Sequence, residues 1–197
     1  MKNIAVFCSS SNALENKYYN FAEVFGRQLA AEGFNLVYGG ANVGMMKVLA
    51  DTVRENGGKI IGVIPKAFDR RGLTEKSLDK LFIVPDMQTR KKKIISISDA
   101  FVALPGGFGT LDELLEVIVL KQLSMIHAPI VILNFNGFFD NMLSMFDDIF
   151  EQNFAKSRYK NIYYVADCID DVFEYIKKYE PVLDLNWHKV DKTDFEK

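Results

Sequence analysis

The stretch richest in chemistry is PGGFGTLDE, residues 105–113. Glycines at 106, 107 and 109 let the backbone come close to a ligand and adopt conformations closed to other residues. A helical pattern begins near Thr110, and the free N–H groups at the start of such a helix suit a phosphate. Thr110 adds a hydroxyl donor and Phe108 lies inside the same loop. Asp112 and Glu113 are expected in the first turn of the helix, beside whatever the loop holds. Carboxylates in a first turn also complement the helix dipole with no ligand at all. A second charged group, Arg90-Lys91-Lys92-Lys93, falls inside a helical segment over residues 87–97, of which Lys92 and Lys93 read as solvated.

Neither glycine turn is a common nucleotide fingerprint. GxGxxG fails because Asp112 stands three residues after Gly109. The turn GGANVG at 39–44 has the gap of a P-loop, but Met45 stands where the phosphate-binding lysine belongs, so a kinase or ATPase loses its central element. The first strand runs into Ser9, Ser10 and Ser11 rather than glycines, which weakens a dehydrogenase. Cys8, Cys168, His127 and His188 are scattered without CxxC or HxxxH spacing, so no zinc site is expected. His127 precedes Pro129 at a helix end, where a polar cap is favourable. No lysine stands in a context that marks it for a Schiff base, which leaves amino-acid decarboxylation with little support, and no cofactor is expected.

The 197 residues suffice for one domain with a sizeable core. Hydrophobic residues make up 49% and charged residues 25%, the mixture of a globular chain. A formal charge of −2 argues against a general nucleic-acid binder. The N-terminal apolar run ends at Ser9, too early for a signal peptide, and no stretch approaches the roughly 20 apolar residues of a membrane span. A cytoplasmic protein without membrane or nucleic-acid partners is expected.

Positioning the two charged segments requires a scaffold, and the pattern supplies one. Short apolar runs over residues 4–7, 35–38, 60–64, 81–84, 100–104, 129–133 and 162–165 read as strands. Between them lie helical patterns over 14–31, 43–53, 87–97, 111–123, 138–150 and 169–179, the polar turn 9–12 being suited to cap the first. Phe21, Phe25, Met45 and Met46 fall at helical spacing and are expected in the core, and Cys8 reads as a small apolar residue. Residues 66–80 lack a period and read as a surface excursion; beyond Pro181 a polar tail follows. Continuous apolar strands alternating with helices predict an α/β, Rossmann-like doubly wound, mostly parallel sheet of about seven strands, with helices on both faces and a single domain over residues 1–180. The crevice beyond the carboxyl ends of the strands then collects the turns after Phe7, Tyr38, Ile64 and Leu104.

Taken together, PGGFGTLDE at 105–113, Met87-Gln-Thr-Arg90-Lys91, Val37-Tyr-Gly-Gly40 with Gly44 and Met46, and Val6-Phe-Cys-Ser-Ser-Ser11 resemble the Lonely-guy type cytokinin riboside 5′-monophosphate phosphoribohydrolases, long mislabelled lysine decarboxylases. The likeness runs from Lys2 to about residue 180. It implies hydrolysis of the N-glycosidic bond of a purine nucleoside 5′-monophosphate to free base and ribose 5-phosphate. By the same resemblance Glu113 and Arg90 are catalytic, the acid serving the sugar and its attacking water and the guanidinium the leaving base. Gly39, Gly40, Glu75, Met87, Lys91, Gly106, Gly107, Phe108, Gly109, Thr110, Asp112 and Glu116 are then substrate-binding candidates. Asp112 stands where the family usually has Glu, and Ser9 and Ala41 depart from its glycine-rich turns. Glu116 supports either the site or only the helix surface. The resemblance also implies a homodimer; water exclusion must come from the 66–80 excursion or from a second subunit. Adenine and N6-prenylated adenine remain equal as bases, and a nucleotide-binding or carrier protein without catalysis is the alternative.

Overall fold

The computed structural model describes residues 2–181, so the tail read from the sequence beyond Pro181, with His188, lies outside the described residues. The elements are β1 Asn3–Phe7, α1 Asn16–Ala31, β2 Asn35–Tyr38, α2 Gly44–Glu55, β3 Ile60–Pro65, α3 Lys66–Asp69, β4 Lys80–Val84, α4 Met87–Ile97, β5 Ala100–Ala103, α5 Phe108–Gln122, β6 Ile130–Leu133, α6 Asp140–Glu151, β7 Tyr164–Ala166 and α7 Ile169–Lys178. The strands form one sheet in the order β4-β3-β2-β1-β5-β6-β7, and every pairing is parallel.

The alternation of each strand divides the core. Ile4 and Val6 of β1 join α1, α2 and α7 through Phe25, Leu29, Leu49 and Phe173. Ala5 and Phe7 point the other way and pack with Ile94, Leu114, Val117 and Phe146 of α4, α5 and α6. Phe25 and Leu29 have no exposed surface, and burying a side chain of that kind stabilises the fold by about 1.5–3 kcal/mol. The strand order turns back on itself at β1, which pairs β2 on one side and β5 on the other. That switch point opens the crevice at the carboxyl ends of the strands.

Several boundaries differ from the sequence reading. Asn12 does not cap α1: its side chain accepts from the Gly44 N–H at 2.8 Å and so serves α2. The Tyr19 hydroxyl holds the loop before α1 by donating to the Ser11 carbonyl and accepting from the Leu14 N–H. Residues 135–137 form a 3-10 turn, and the Asn134 carboxamide accepts from Phe139 N–H at 2.7 Å, which delays α6 to Asp140. Ile162 closes another 3-10 turn and is buried with Tyr159, so the last strand starts at Tyr164. The 66–80 excursion contains α3 and is tied to the Gly40 turn, with Asn42 N–H donating to Leu73 and Glu75 N–H to Gly40. Among the described residues no helix is long and apolar enough to cross a membrane.

Candidate active site

The two glycine turns present helix starts of opposite character. At α2 the Gly44 N–H is taken by Asn12 and the Met45 N–H donates to the Ser9 carbonyl at 3.0 Å. At α5 the preceding residue, Gly107, offers no side chain to cap the helix. The N–H groups of Phe108, Gly109 and Thr110 belong to the first turn, which has no intrahelical acceptor for them. A Cβ at Gly107 or Gly109 would meet nothing within 4 Å, whereas one at Gly106 would fall 2.0 Å from Thr110 Oγ1. Gly106 thus admits the Thr110 side chain into the turn, while Gly107 and Gly109 leave the approach open. This helix start therefore turns free N–H groups toward the crevice, an arrangement that suits an anion.

Because α5 begins at Phe108 and not near Thr110, Asp112 and Glu113 lie in its second turn, correcting the first-turn expectation. Dipole complementarity falls off within the first turn, so it accounts poorly for Glu113. Its partner is Arg90, whose Nη1 donates to Glu113 Oε1 at 2.6 Å and whose Nε donates to the Val63 carbonyl at 3.1 Å. The α4 helix that carries Arg90 is capped by Asp86, which accepts from Thr89 N–H. The two side chains are only 11% and 12% exposed, yet both reach the crevice wall. Burial pushes the Glu113 carboxyl above the usual carboxylate range, and the charge of Arg90 and its hydrogen bond pull it back only in part. Cys8, in the same wall, is driven strongly upward by burial and then by the Glu113 charge, so its thiol stays protonated.

The crevice encloses about 480 Å³. Its polar lining comes from Ser9, Ser10 and Ser11, the 107–110 turn, Arg90 and Glu113. Its apolar lining comes from Val43, Met46, Ile64, Phe68, Leu73 and Met87. Of the residues proposed from sequence, Gly39, Met87, Arg90, Gly107, Phe108, Gly109, Thr110 and Glu113 converge on this space. Gly40, Glu75, Lys91, Gly106, Asp112 and Glu116 do not line it. Gly40 takes a positive φ of 72° and packs on Val63. Glu75 is buried behind that turn, accepts from Ser77 N–H and lies 3.8 Å from Arg54. Lys91 is engaged by Asp112 and Glu116.

Sequence reasoning missed part of the apolar side. The spacing of Met46 predicts a core residue, but it is only partly buried and lines the crevice; its place in the glycine-turn motif is the signal for that position. Phe68 and Leu73 come from the aperiodic excursion, where spacing carried no signal. Among the described residues no three His, Cys, Asp or Glu side chains gather where they could hold a metal ion.

A family model described as "Possible lysine decarboxylase" matches residues 46–176. A probable cytokinin riboside 5′-monophosphate phosphoribohydrolase of Oryza sativa subsp. japonica is 38% identical over 180 residues, covering 91% of this chain and 72% of its own. A cytokinin riboside 5′-monophosphate phosphoribohydrolase of Arabidopsis thaliana is 35% identical over 199 residues, covering 98% of this chain and 92% of its own. Among solved structures, the Moco carrier protein of Chlamydomonas reinhardtii aligns with a TM-score of 0.67 at 20% identity, over 89% of this chain and 95% of that one. The molybdenum cofactor binding protein of Rippkaea orientalis aligns with a TM-score of 0.66 at 21% identity, over 89% and 95%. At such identities the solved structures share the fold. The extent of the sequence match with the plant proteins decides the family: this chain belongs to the cytokinin riboside 5′-monophosphate phosphoribohydrolases, the family whose model keeps the description of a possible lysine decarboxylase.

Proposed function

We propose that this protein hydrolyses the N-glycosidic bond of a purine nucleoside 5′-monophosphate, releasing the base and ribose 5-phosphate. The observation that carries the reading is the buried Arg90–Glu113 pair beside an uncapped helix start. The phosphate sits on the N–H groups of residues 108–110, with Thr110 as a further donor. The ribose then lies along the second turn of α5, next to Glu113.

As the C1′–N bond breaks, its electron pair moves onto the base and positive charge builds on the sugar. A carboxylate at this point stabilises that charge and takes a proton from the water that bonds to C1′. A carboxyl raised by burial stands closer to the working pH than an ordinary glutamate, which suits proton transfer. Arg90 donates a hydrogen bond toward the leaving base and supports the charge it gains; the base then takes up a proton from solvent and Glu113 returns to solvent the one it took from water, which restores the carboxylate. The pair favours hydrolysis over a carrier role, for which binding the phosphate would suffice.

The apolar side, with Val43, Met46, Phe68, Leu73 and Met87, favours a base that carries an apolar N6 substituent, in keeping with the relatives' names. AMP is the second substrate. Phe108, Leu115 and Val119 form an exposed stripe on α5, which supports a homodimer through this helix and would place a second subunit at the crevice mouth. The deciding assay incubates purified protein with isopentenyladenosine monophosphate and with AMP and measures free base. Release from the first, more slowly from the second, is expected; no release from any nucleoside monophosphate rejects the hydrolase.

A further inference from the structure

Lys91 follows Arg90 on α4, and one residue on a helix turns the side chain by about 100°. Arg90 therefore meets the crevice while Lys91 leaves it. Its Nζ lies 2.9 Å from Asp112 Oδ1 and 2.8 Å from Glu116 Oε2. Those two acids are one turn apart on α5, and Glu113 stands between them. Behind Glu113 a small gap is lined by Phe7, Lys91, Ile94, Ile95, Glu113 and Glu116, so Lys91 packs beside the acid on the side away from the crevice while its ammonium is held by Asp112 and Glu116. Burial disfavours the Lys91 charge, and its two carboxylate partners more than offset that, holding the ammonium charged.

We propose that Lys91, by bridging Asp112 and Glu116, ties α4 to α5 and so positions the Glu113 carboxylate against Arg90, without itself touching the nucleotide. The consequence for turnover rests on the hydrolase reading; the arrangement does not. Glu113 faces Arg90 and Lys91 from α4, Asp112 and Glu116 from its own helix, and the Cys8 thiol from the end of β1. Without Lys91, Asp112 and Glu116 lose the cation that bridges them, beside a Glu113 that keeps its bond to Arg90. Asp112 already pushes the Glu113 carboxyl up and Lys91 pulls it down, so losing the lysine raises it further.

The test follows the Glu113 carboxyl directly by 13C NMR of glutamate-labelled protein, with its resonance assigned by Glu113→Gln. In Lys91→Met the Glu113 titration should move up by about half a pH unit or more. Lys91→Arg should restore it, and Lys91→Met/Asp112→Asn should bring it back toward wild type. With isopentenyladenosine monophosphate, Lys91→Met should lower kcat about tenfold and leave KM within about threefold. A Glu113 titration that stays in place, or a KM raised tenfold with kcat retained, overturns the proposal. If Lys91→Met does not fold, Asp112→Asn decides: the Glu113 titration should fall, and an unchanged value overturns the proposal equally. A wild type that releases no base sinks the hydrolase reading alone, since the NMR titration needs no turnover.

Discussion

Gly39 leaves free the space that the Arg90 guanidinium fills: a Cβ at residue 39 would fall 2.1 Å from Arg90 Nη2. The glycine at the end of β2 is thus the seat of the arginine from α4. Gly39→Ala should displace the guanidinium from Glu113 while leaving the packed sheet beneath intact. A kcat/KM lower by about a hundredfold is expected, the size of losing a positioned charge donor, with a melting temperature within a few degrees of wild type. Unaltered kcat/KM would mean that Arg90 works from another position.

Glu113→Gln keeps the shape and a hydrogen-bonding group but removes the charge opposite Arg90. Turnover should fall by about a hundredfold or more, and nucleotide affinity, which we assign to the 107–110 turn, should stay within a few fold. In the wild type the acid limb of kcat/KM should lie above the usual carboxylate range, because burial raises this carboxyl. The sign is fixed by the role: the reaction needs the ionised form, so activity rises with pH through the titration of Glu113. A pH–rate profile checks it; a limb at or below the ordinary glutamate value would contradict the assignment.

A methyl group at Gly107 enters open space without touching the protein, and the backbone there has an ordinary negative φ of −88°. Gly107→Ala therefore should fold normally while intruding on the proposed phosphate site at the start of α5. KM for the monophosphate should rise about tenfold, whereas the slow cleavage of the corresponding nucleoside, which lacks the phosphate, should barely change. Equal effects on both substrates would place the phosphate elsewhere.

The sheet was legible because its strands are continuous apolar runs, and the crevice followed from the parallel order. Arg90 and Glu113 were legible through their motifs. What spacing could not resolve was direction. Arg90 and Lys91 are neighbours in sequence, yet helix rotation sends one into the crevice and the other behind it. The excursion reads as a surface feature, yet α3 follows directly on Pro65 and hydrogen bonds hold residues 73 and 75 to the Gly40 turn, and Phe68 and Leu73 thereby line the crevice. Glu75 looked like a substrate acid, but the same contacts turn it toward Ser77 and Arg54. The start of α5 was placed late because glycine at 109 has a low helix propensity, which the open N-terminal turn tolerates.

Lys121 gives a prediction about stability that is independent of the crevice. It is 4% exposed on α5, with its Nζ 4.7 Å from the Tyr179 ring centre and without a hydrogen-bond acceptor among the described residues. Burial pushes its amine down from 10.5 to about 8. Folding therefore favours the neutral amine, and between about pH 8 and 10.5 the unfolded chain binds more protons than the folded one. The contribution of Lys121 to stability should rise with pH across that window and be unfavourable below it. Lys121→Met, similar in shape and free of charge, should raise the melting temperature at pH 7 by a few degrees and flatten the pH dependence above pH 8. Thermal unfolding of both proteins at a series of pH values measures this; a variant less stable than wild type at pH 7 would mean that the ammonium is held by a favourable partner.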